Sequence, residues 1–120
     1  HDTERIMTAL SESLPAGKVG DAMRCAAAIQ FFLPGMPCIY YGDETGMTGG
    51  ADPFNRGFFT EHDRELTEFY RRLGNMRKKS PALRRGTLEI TEKSGAVVIS
   101  RSLGGEKRTL TVSPSEFDIR

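Results

Sequence analysis

Apolar residues change their spacing along the chain, and each change marks an element. Ile6 and Leu10 lie one helical turn apart, so residues 3–10 are expected to form a short helix with Thr3 as N-cap. Ser, Pro and Gly then make residues 11–20 a loop. A second helix is expected from an Asp21 N-cap to Phe32. It carries Ala22, Met23, Cys25, Ala26, Ala27, Ala28, Ile29, Phe31 and Phe32, apolar nearly all round, and so calls for neighbours on most sides. Pro34 and Gly35 end it. Pro37 to Tyr41 is a short unbroken apolar run, the pattern of a strand covered on both faces. Residues 45–60 contain Gly46, Gly49, Gly50, Pro53 and Gly57 and predict a long loop, a length usually kept for function or disorder. Leu66, Phe69, Tyr70, Leu73 and Met76 recur at three- and four-residue steps, giving a surface helix from Glu61 to Arg77 that Ser80-Pro81 ends. Beyond Gly86 the period becomes that of strands: 88–91, 96–101 and 108–112, with turns at Ser94-Gly95 and Gly104-Gly105, an antiparallel meander.

The run at 37–41 matters most because Asp43 and Glu44 follow it. In an α/β barrel the C-terminal mouth of each strand is where chemistry occurs. His1-Asp2 can be the tail of another strand at that mouth. Residues 1–56 are therefore where function is sought.

Three motifs in order carry a resemblance. They are His1-Asp2-Thr3 followed by Arg5, then Leu33-Pro34-Gly35-Met36-Pro37-Cys38-Ile39-Tyr40-Tyr41-Gly42-Asp43-Glu44, then Asp52-Pro53-Phe54-Asn55-Arg56. Together they resemble the α-amylase family of glycoside hydrolases, family 13, in its neopullulanase, cyclomaltodextrinase and bacterial α-glycosidase branch. Arg71-Arg72-Leu73-Gly74 and Pro81-Ala82-Leu83-Arg84-Arg85-Gly86 fit the end of that family's barrel. A complete (β/α)₈ barrel takes about 250 residues. A chain of 120 residues that begins with His is thus expected to be a piece of a longer enzyme. The resemblance implies an α+β chain in which residues 1–85 are the last part of the TIM barrel and residues 86–120 begin an antiparallel β-sandwich.

The resemblance also implies roles. Asp2 would be the carboxylate that stabilises the oxocarbenium-like transition state of glycoside hydrolysis, and His1 would bind sugar beside it. Unaided, Asp2 reads only as an acid near a helix N-terminus. Asp52 and Arg56 would contact sugar hydroxyls; their plain reading is a local ion pair worth about 0–1 kcal/mol when exposed. Asp43 and Glu44 tempt a reading as an acid–base pair, but neighbours on a strand point to opposite faces, so both cannot flank one bond. They are expected to pack and anchor the loop. Tyr40 and Tyr41 could stack on sugars, though core tyrosines with bonded hydroxyls are commoner. Arg5 is expected to make a local ion pair and nothing more. The chain departs from the family after Arg56. A further basic residue and Pro-Trp are usual there, whereas here Gly57-Phe58-Phe59-Thr60-Glu61 follows and the chain has no Trp.

Retaining chemistry needs two carboxyl groups about 5 Å apart, and the family's nucleophile and acid/base motifs do not occur here. The expectation is a piece of a retaining enzyme acting on α-1,4 or α-1,6 glucosidic bonds, by hydrolysis or transfer, and inactive alone. Its partner is an α-glucan or maltooligosaccharide. The alternative from another class is a structural or interaction module that binds no glucan.

Composition narrows the rest. With 17 basic and 16 acidic residues the net charge is +1, which gives no reason to expect nucleic acid or an anionic membrane. Arg77-Lys78-Lys79 and Arg84-Arg85 read as favourable charge at helix C-termini rather than a phosphate patch. Cys25 and Cys38 read as small buried hydrophobes, and their spacing matches no metal motif. No cofactor or metal is called for. A calcium ion in the parent is compatible with the resemblance, its ligands lying upstream. There is neither an 18-residue apolar run nor a signal peptide, so the compartment stays open, with the cytoplasm as default. The all-round apolar helix and the lone strand predict self-association.

Overall fold

A computed structural model describes residues 2–120; the His1 assignment lies outside the described residues. In order, the elements are α1 (Ile6–Ser13), α2 (Ala16–Phe32), 3₁₀ turns at Asp43–Thr45 and Phe54–Arg56, α3 (Arg64–Lys79), α4 (Pro81–Arg85), β1 (Thr87–Lys93), β2 (Ala96–Leu103), β3 (Glu106–Val112) and β4 (Phe117–Ile119). The class is α+β. Two compact units divide it: residues up to Arg24 with Cys38–Arg71, and Cys25–Pro37 with Arg72–Arg120.

In the first unit, α1 starts later than Thr3. Its N-cap is Arg5, held in extended backbone with no side-chain cap. The cause is the loop: the Arg5 N–H donates to the Gly49 carbonyl at 2.9 Å, and Asn55 binds the Thr3 carbonyl at 2.7 Å. These bonds keep residues 3–5 out of the helix. The expected loop at 11–20 is mostly helix, because α2 begins at Ala16, just after Pro15, and absorbs Gly17 and Gly20. Proline fixes φ and suits a helix start. Asp21 is therefore inside the helix, where it pairs loosely with Arg24 at 3.7 Å. α3 starts at Arg64 because the Asp63 carboxylate accepts the Leu66 N–H at 3.0 Å, an N-cap bond. The apolar stripe holds, with Leu66, Tyr70 and Leu73 buried.

The run at 37–41 is the main correction. It forms no strand, and Cys38, Ile39 and Tyr41 are exposed. A parallel strand needs neighbours to satisfy its N–H and C=O groups. Among the described residues every strand belongs to one antiparallel sheet farther along the chain. The segment is extended backbone without a ladder. Cys38 is thus not the buried hydrophobe expected, and Cys25 is only half-buried.

In the second unit, the sheet runs β1-β2-β3-β4 with every pair antiparallel, the expected meander plus a fourth short strand. Ile90, Ile99, Leu110 and Ile119 lie across from one another in register on one face. Ile99 and Leu110 are buried, whereas Ile90 at the β1 edge remains 55% exposed. Gly86 must be glycine: a Cβ would lie 2.4 Å from the Ala82 carbonyl oxygen and 2.6 Å from that of Ser102.

Two buried arginines close the C-terminal end of α2. Arg77 donates to the carbonyls of Phe31 at 2.5 Å, Leu33 at 3.3 Å and Gly35. Arg101 donates to Phe32 O at 2.8 Å and Gly86 O at 3.0 Å. Helix ends leave carbonyls without intrahelical partners, and these guanidinium groups satisfy them. Arg77 therefore serves α2 rather than the end of its own helix. Ser80 caps α4, accepting the Leu83 N–H at 3.2 Å. Glu106 reinforces this cap, accepting from the Ser80 hydroxyl at 2.6 Å and the Ala82 N–H at 3.0 Å. These bonds hold the Glu106 carboxyl below its ordinary range.

Candidate functional site

The site is built within the first unit, where three motifs far apart in sequence come together. Arg5 is its centre. Its side chain is buried, and Nη1 donates to the Tyr41 carbonyl at 2.7 Å and to Asp43 Oδ1 at 3.0 Å. The guanidinium carbon lies 4.6 Å from the Tyr40 ring centre and 4.7 Å from that of Tyr41. The rings themselves meet edge to face at 4.8 Å. Among the described residues Nε and Nη2 are buried without a hydrogen-bond partner, and the two π faces lie against that part of the cation and stabilise it. Burial pushes the Asp43 carboxyl above its ordinary value, and Arg5 pulls it back. Burial is the larger effect. Tyr70, buried with Asp43 and Glu44 adding negative charge around it, is pushed up to about 12.

Asp43 and Glu44 both serve the turn. Gly42, at φ +90°, opens the 3₁₀ turn, and Glu44 Oε2 accepts the Gly42 N–H at 2.7 Å. Asp43 faces Arg5. Their roles here are anchoring contacts, and no acid–base pair is formed. Tyr40 and Tyr41 anchor the loop beyond: the Tyr40 hydroxyl donates to the Asn55 carbonyl at 3.3 Å and the Tyr41 hydroxyl to the Gly57 carbonyl at 2.6 Å. Gly49 lets the loop close on itself, since a Cβ would sit 2.7 Å from Phe54 O and 2.8 Å from Asn55 Cα.

Asn55 is the second centre. It is 0% exposed, and its Nδ2 donates to the Thr3 carbonyl at 2.7 Å. This bond spans 52 residues and ties the backbone next to Asp2 to the loop that carries Asp52 and Arg56. Asp2 itself is exposed. Asp52 and Arg56 form an ion pair, Oδ1 to Nε at 2.7 Å, each side chain about half exposed at 52% and 49%. A cleft of ≈ 430 Å³ opens at the cage, lined by Arg5, Tyr40 and Asp43 together with Thr3, Glu4 and Ile6. Among the described residues no three His, Cys, Asp or Glu side chains gather as metal ligands, and no helix is long and apolar enough to cross a membrane.

Asp2, Asp52 and Arg56 are recognisable in the sequence as motif residues, whereas the contacts that join their segments are not. Arg5 is a buried cation held across 38 residues, not a local surface pair. Asn55 belongs to the third motif, but no role of its own was expected for it. The available signal was chemical: a lone Arg after His1-Asp2-Thr3 and, elsewhere, a Tyr-Tyr-Gly-Asp run offering two rings and a carboxylate to one guanidinium.

Residues 1–58 match the family model described as "Alpha amylase, catalytic domain". The chain is 40% identical over 96 residues to a cyclomaltodextrinase from a Bacillus species, an alignment covering 75% of this chain and 16% of that protein. It is 37% identical over 108 residues to an amylopullulanase from Thermoanaerobacter thermohydrosulfuricus, covering 81% of this chain and 7% of that protein. The crystal structure of an Anoxybacillus α-amylase superposes on 94% of this chain and 25% of its own, with a TM-score of 0.83 and 33% identity. The chain therefore spans only a small part of the length of the relatives it matches.

Proposed function

Because the chain belongs to the α-amylase family of glycoside hydrolases, a family of enzymes, we propose that it is part of a retaining enzyme acting on α-1,4 or α-1,6 glucosidic bonds of an α-glucan. Residues 1–85 form the last part of its catalytic barrel and residues 86–120 the start of the β domain that follows. The nucleophile and the proton donor are carried upstream, so this chain alone is inactive. Its own share is Asp2 as the carboxylate facing the developing positive charge, with His1 on a neighbouring sugar hydroxyl. Asp52 and Arg56 hold a more distant sugar unit.

One observation carries this reading. The Asn55 side chain binds the Thr3 carbonyl at 2.7 Å, so the motif containing Asp2 and the loop containing Asp52 and Arg56 share one anchor. An enzyme that recognises several linked sugars needs its catalytic carboxylate and its remote sugar contacts in fixed relation, because binding energy from remote units orients the reacting bond. The Arg5 cage and the two tyrosine hydroxyls add to that fixity. Asp52 and Arg56 are paired yet half exposed, which leaves further lone pairs and N–H groups on their outer edges for hydroxyls.

The test is steady-state kinetics of the whole enzyme with Arg56→Ala on a maltooligosaccharide. A contact to a remote sugar exists in ground and transition states alike, so KM should rise while kcat changes little. An unchanged KM on substrates of every length would remove the loop from the substrate site.

A further inference from the structure

Gly49 is tied to the first helix through both of its backbone polar groups. Its carbonyl accepts the Arg5 N–H at 2.9 Å, and its own N–H donates to the Thr8 hydroxyl oxygen at 2.8 Å. The second bond spans 41 residues. Thr8 lies in the first turn of α1. A threonine hydroxyl within a helix commonly serves a carbonyl of the preceding turn. Here its oxygen accepts from a distant loop. The third tie is the Asn55 side chain on the Thr3 carbonyl. Between these ties the loop doubles back on itself. The Phe54 N–H donates to the Ala51 carbonyl at 2.9 Å and the Arg56 N–H to the Pro53 carbonyl at 3.0 Å. Asp52 therefore sits between two anchored feet, Gly49 and Asn55, and Arg56 directly follows the second.

At the Gly49 foot one tie is backbone to backbone, and the Thr8 hydroxyl is the part a substitution can remove. A partly buried backbone N–H needs an acceptor, so without that hydroxyl the Gly49 peptide has reason to shift toward water. The segment after Asp2 would stay in place, because Arg5 still holds the Tyr41 carbonyl and Asp43. The loop would move relative to it. Asp52 and Arg56 are bonded to each other at 2.7 Å and would move as a pair. Resting on the function proposed above, we infer that Thr8 is a positioning residue. Acting through Gly49, its hydroxyl fixes the Asp52–Arg56 pair at the distance from Asp2 that a glucan of several units requires, and so sets the preference for longer chains.

The experiment measures kcat and KM of the whole enzyme and its Thr8→Val, Thr8→Ala and Thr8→Ser variants on maltose through maltohexaose and on p-nitrophenyl α-glucoside. Val keeps the shape of Thr and Ala favours the helix; both delete the acceptor, whereas Ser keeps it. Losing the positioning supplied by one hydrogen bond should raise KM on the longer glucans about 2- to 10-fold while kcat is retained. The constants for the short aryl glucoside should stay near wild type, as should Thr8→Ser on every substrate. Combining Thr8→Val with Arg56→Ala should raise KM little beyond Arg56→Ala alone, because the two act on one contact. An equal loss on every substrate, no rise in KM, or effects of Thr8→Val and Arg56→Ala that simply add would overturn the inference and leave the proposed function standing. Failure of both Thr8→Val and Thr8→Ala to fold would mark a merely structural residue and overturn it as well. A wild type that acts on no α-glucan overturns both the inference and the function it rests on.

Discussion

Replacing Arg5 with Met tests the device that joins the motifs. The substitution keeps an apolar stem against Tyr40 and Tyr41 but deletes the cation. It removes the 2.7 Å bond to the Tyr41 carbonyl and the 3.0 Å bond to Asp43, and leaves both acceptors behind. The Arg5 side chain is 0% exposed and that of Asp43 19%. Breaking a fully buried pair from one side costs about 3–5 kcal/mol. The part-exposure of Asp43 reduces this, and we expect about 2–4 kcal/mol. Urea unfolding of the chain at low concentration, followed by circular dichroism, reads the loss as a shifted midpoint. The pH dependence gives a sharper test. Asp43 already titrates above the ordinary aspartate value of about 3.9 because burial dominates. A carboxyl raised on folding contributes stability that is complete below its unfolded pKa and lost as pH rises through its folded one. Arg5 limits that loss. Without it, Asp43 moves further up, so the deficit of Arg5→Met should grow between about pH 4 and pH 7. Adding Asp43→Asn should flatten that slope and recover part of the stability. A deficit below about 1 kcal/mol, or one that grows toward acid, would refute the reasoning.

Other outcomes follow from the same contacts. Glu106 is held below the ordinary glutamate range by Ser80 and Ala82, so its contribution is present above about pH 4.3 and lost as pH falls through its folded value; Glu106→Gln should destabilise at neutral pH and converge with wild type in acid unfolding curves. The 120-residue chain alone should leave maltodextrin, pullulan and p-nitrophenyl α-glucoside intact; turnover that persists through purification and disappears with Asp43→Asn or Glu44→Gln would contradict the assignment of the missing carboxylates upstream. The chain should also self-associate, given the unpaired run at 37–41 and the exposed rings at 54–59; light scattering that reports a monomer at high micromolar concentration would count against this.

Local chemistry made much of the fold legible. The stripe from Leu66 to Met76 marked α3, and Ser94-Gly95 and Gly104-Gly105 marked turns of the meander, because their signals act over a few residues. α2 began earlier than expected: Gly17 and Gly20 argue for a loop on propensity alone, yet the helix extends through them from Pro15. Propensity is a weak prior that tertiary context overrides. The run at 37–41 has a strand's composition without a strand's neighbours, and composition cannot supply ladder partners. In the site, Asp2, Asp52 and Arg56 stood out as motif residues. Arg5 and Asn55 did not, because a buried polar side chain can be recognised only together with partners 36 to 52 residues away.

If Asp2 faces the charge developing on the sugar, its own charge should matter to turnover far more than to binding. Determine kcat and KM for the whole enzyme and its Asp2→Asn variant on a maltooligosaccharide. Asn keeps the size and hydrogen-bonding reach of Asp but not the charge, so ground-state binding should largely survive. By analogy with removing one oxyanion-hole donor, kcat should fall on the order of 10²–10³ or more. kcat and kcat/KM should fall together, as expected for an interaction made chiefly in the transition state. A variant with near-normal kcat would show that Asp2 is not the catalytic carboxylate, and the functional reading would fall with it.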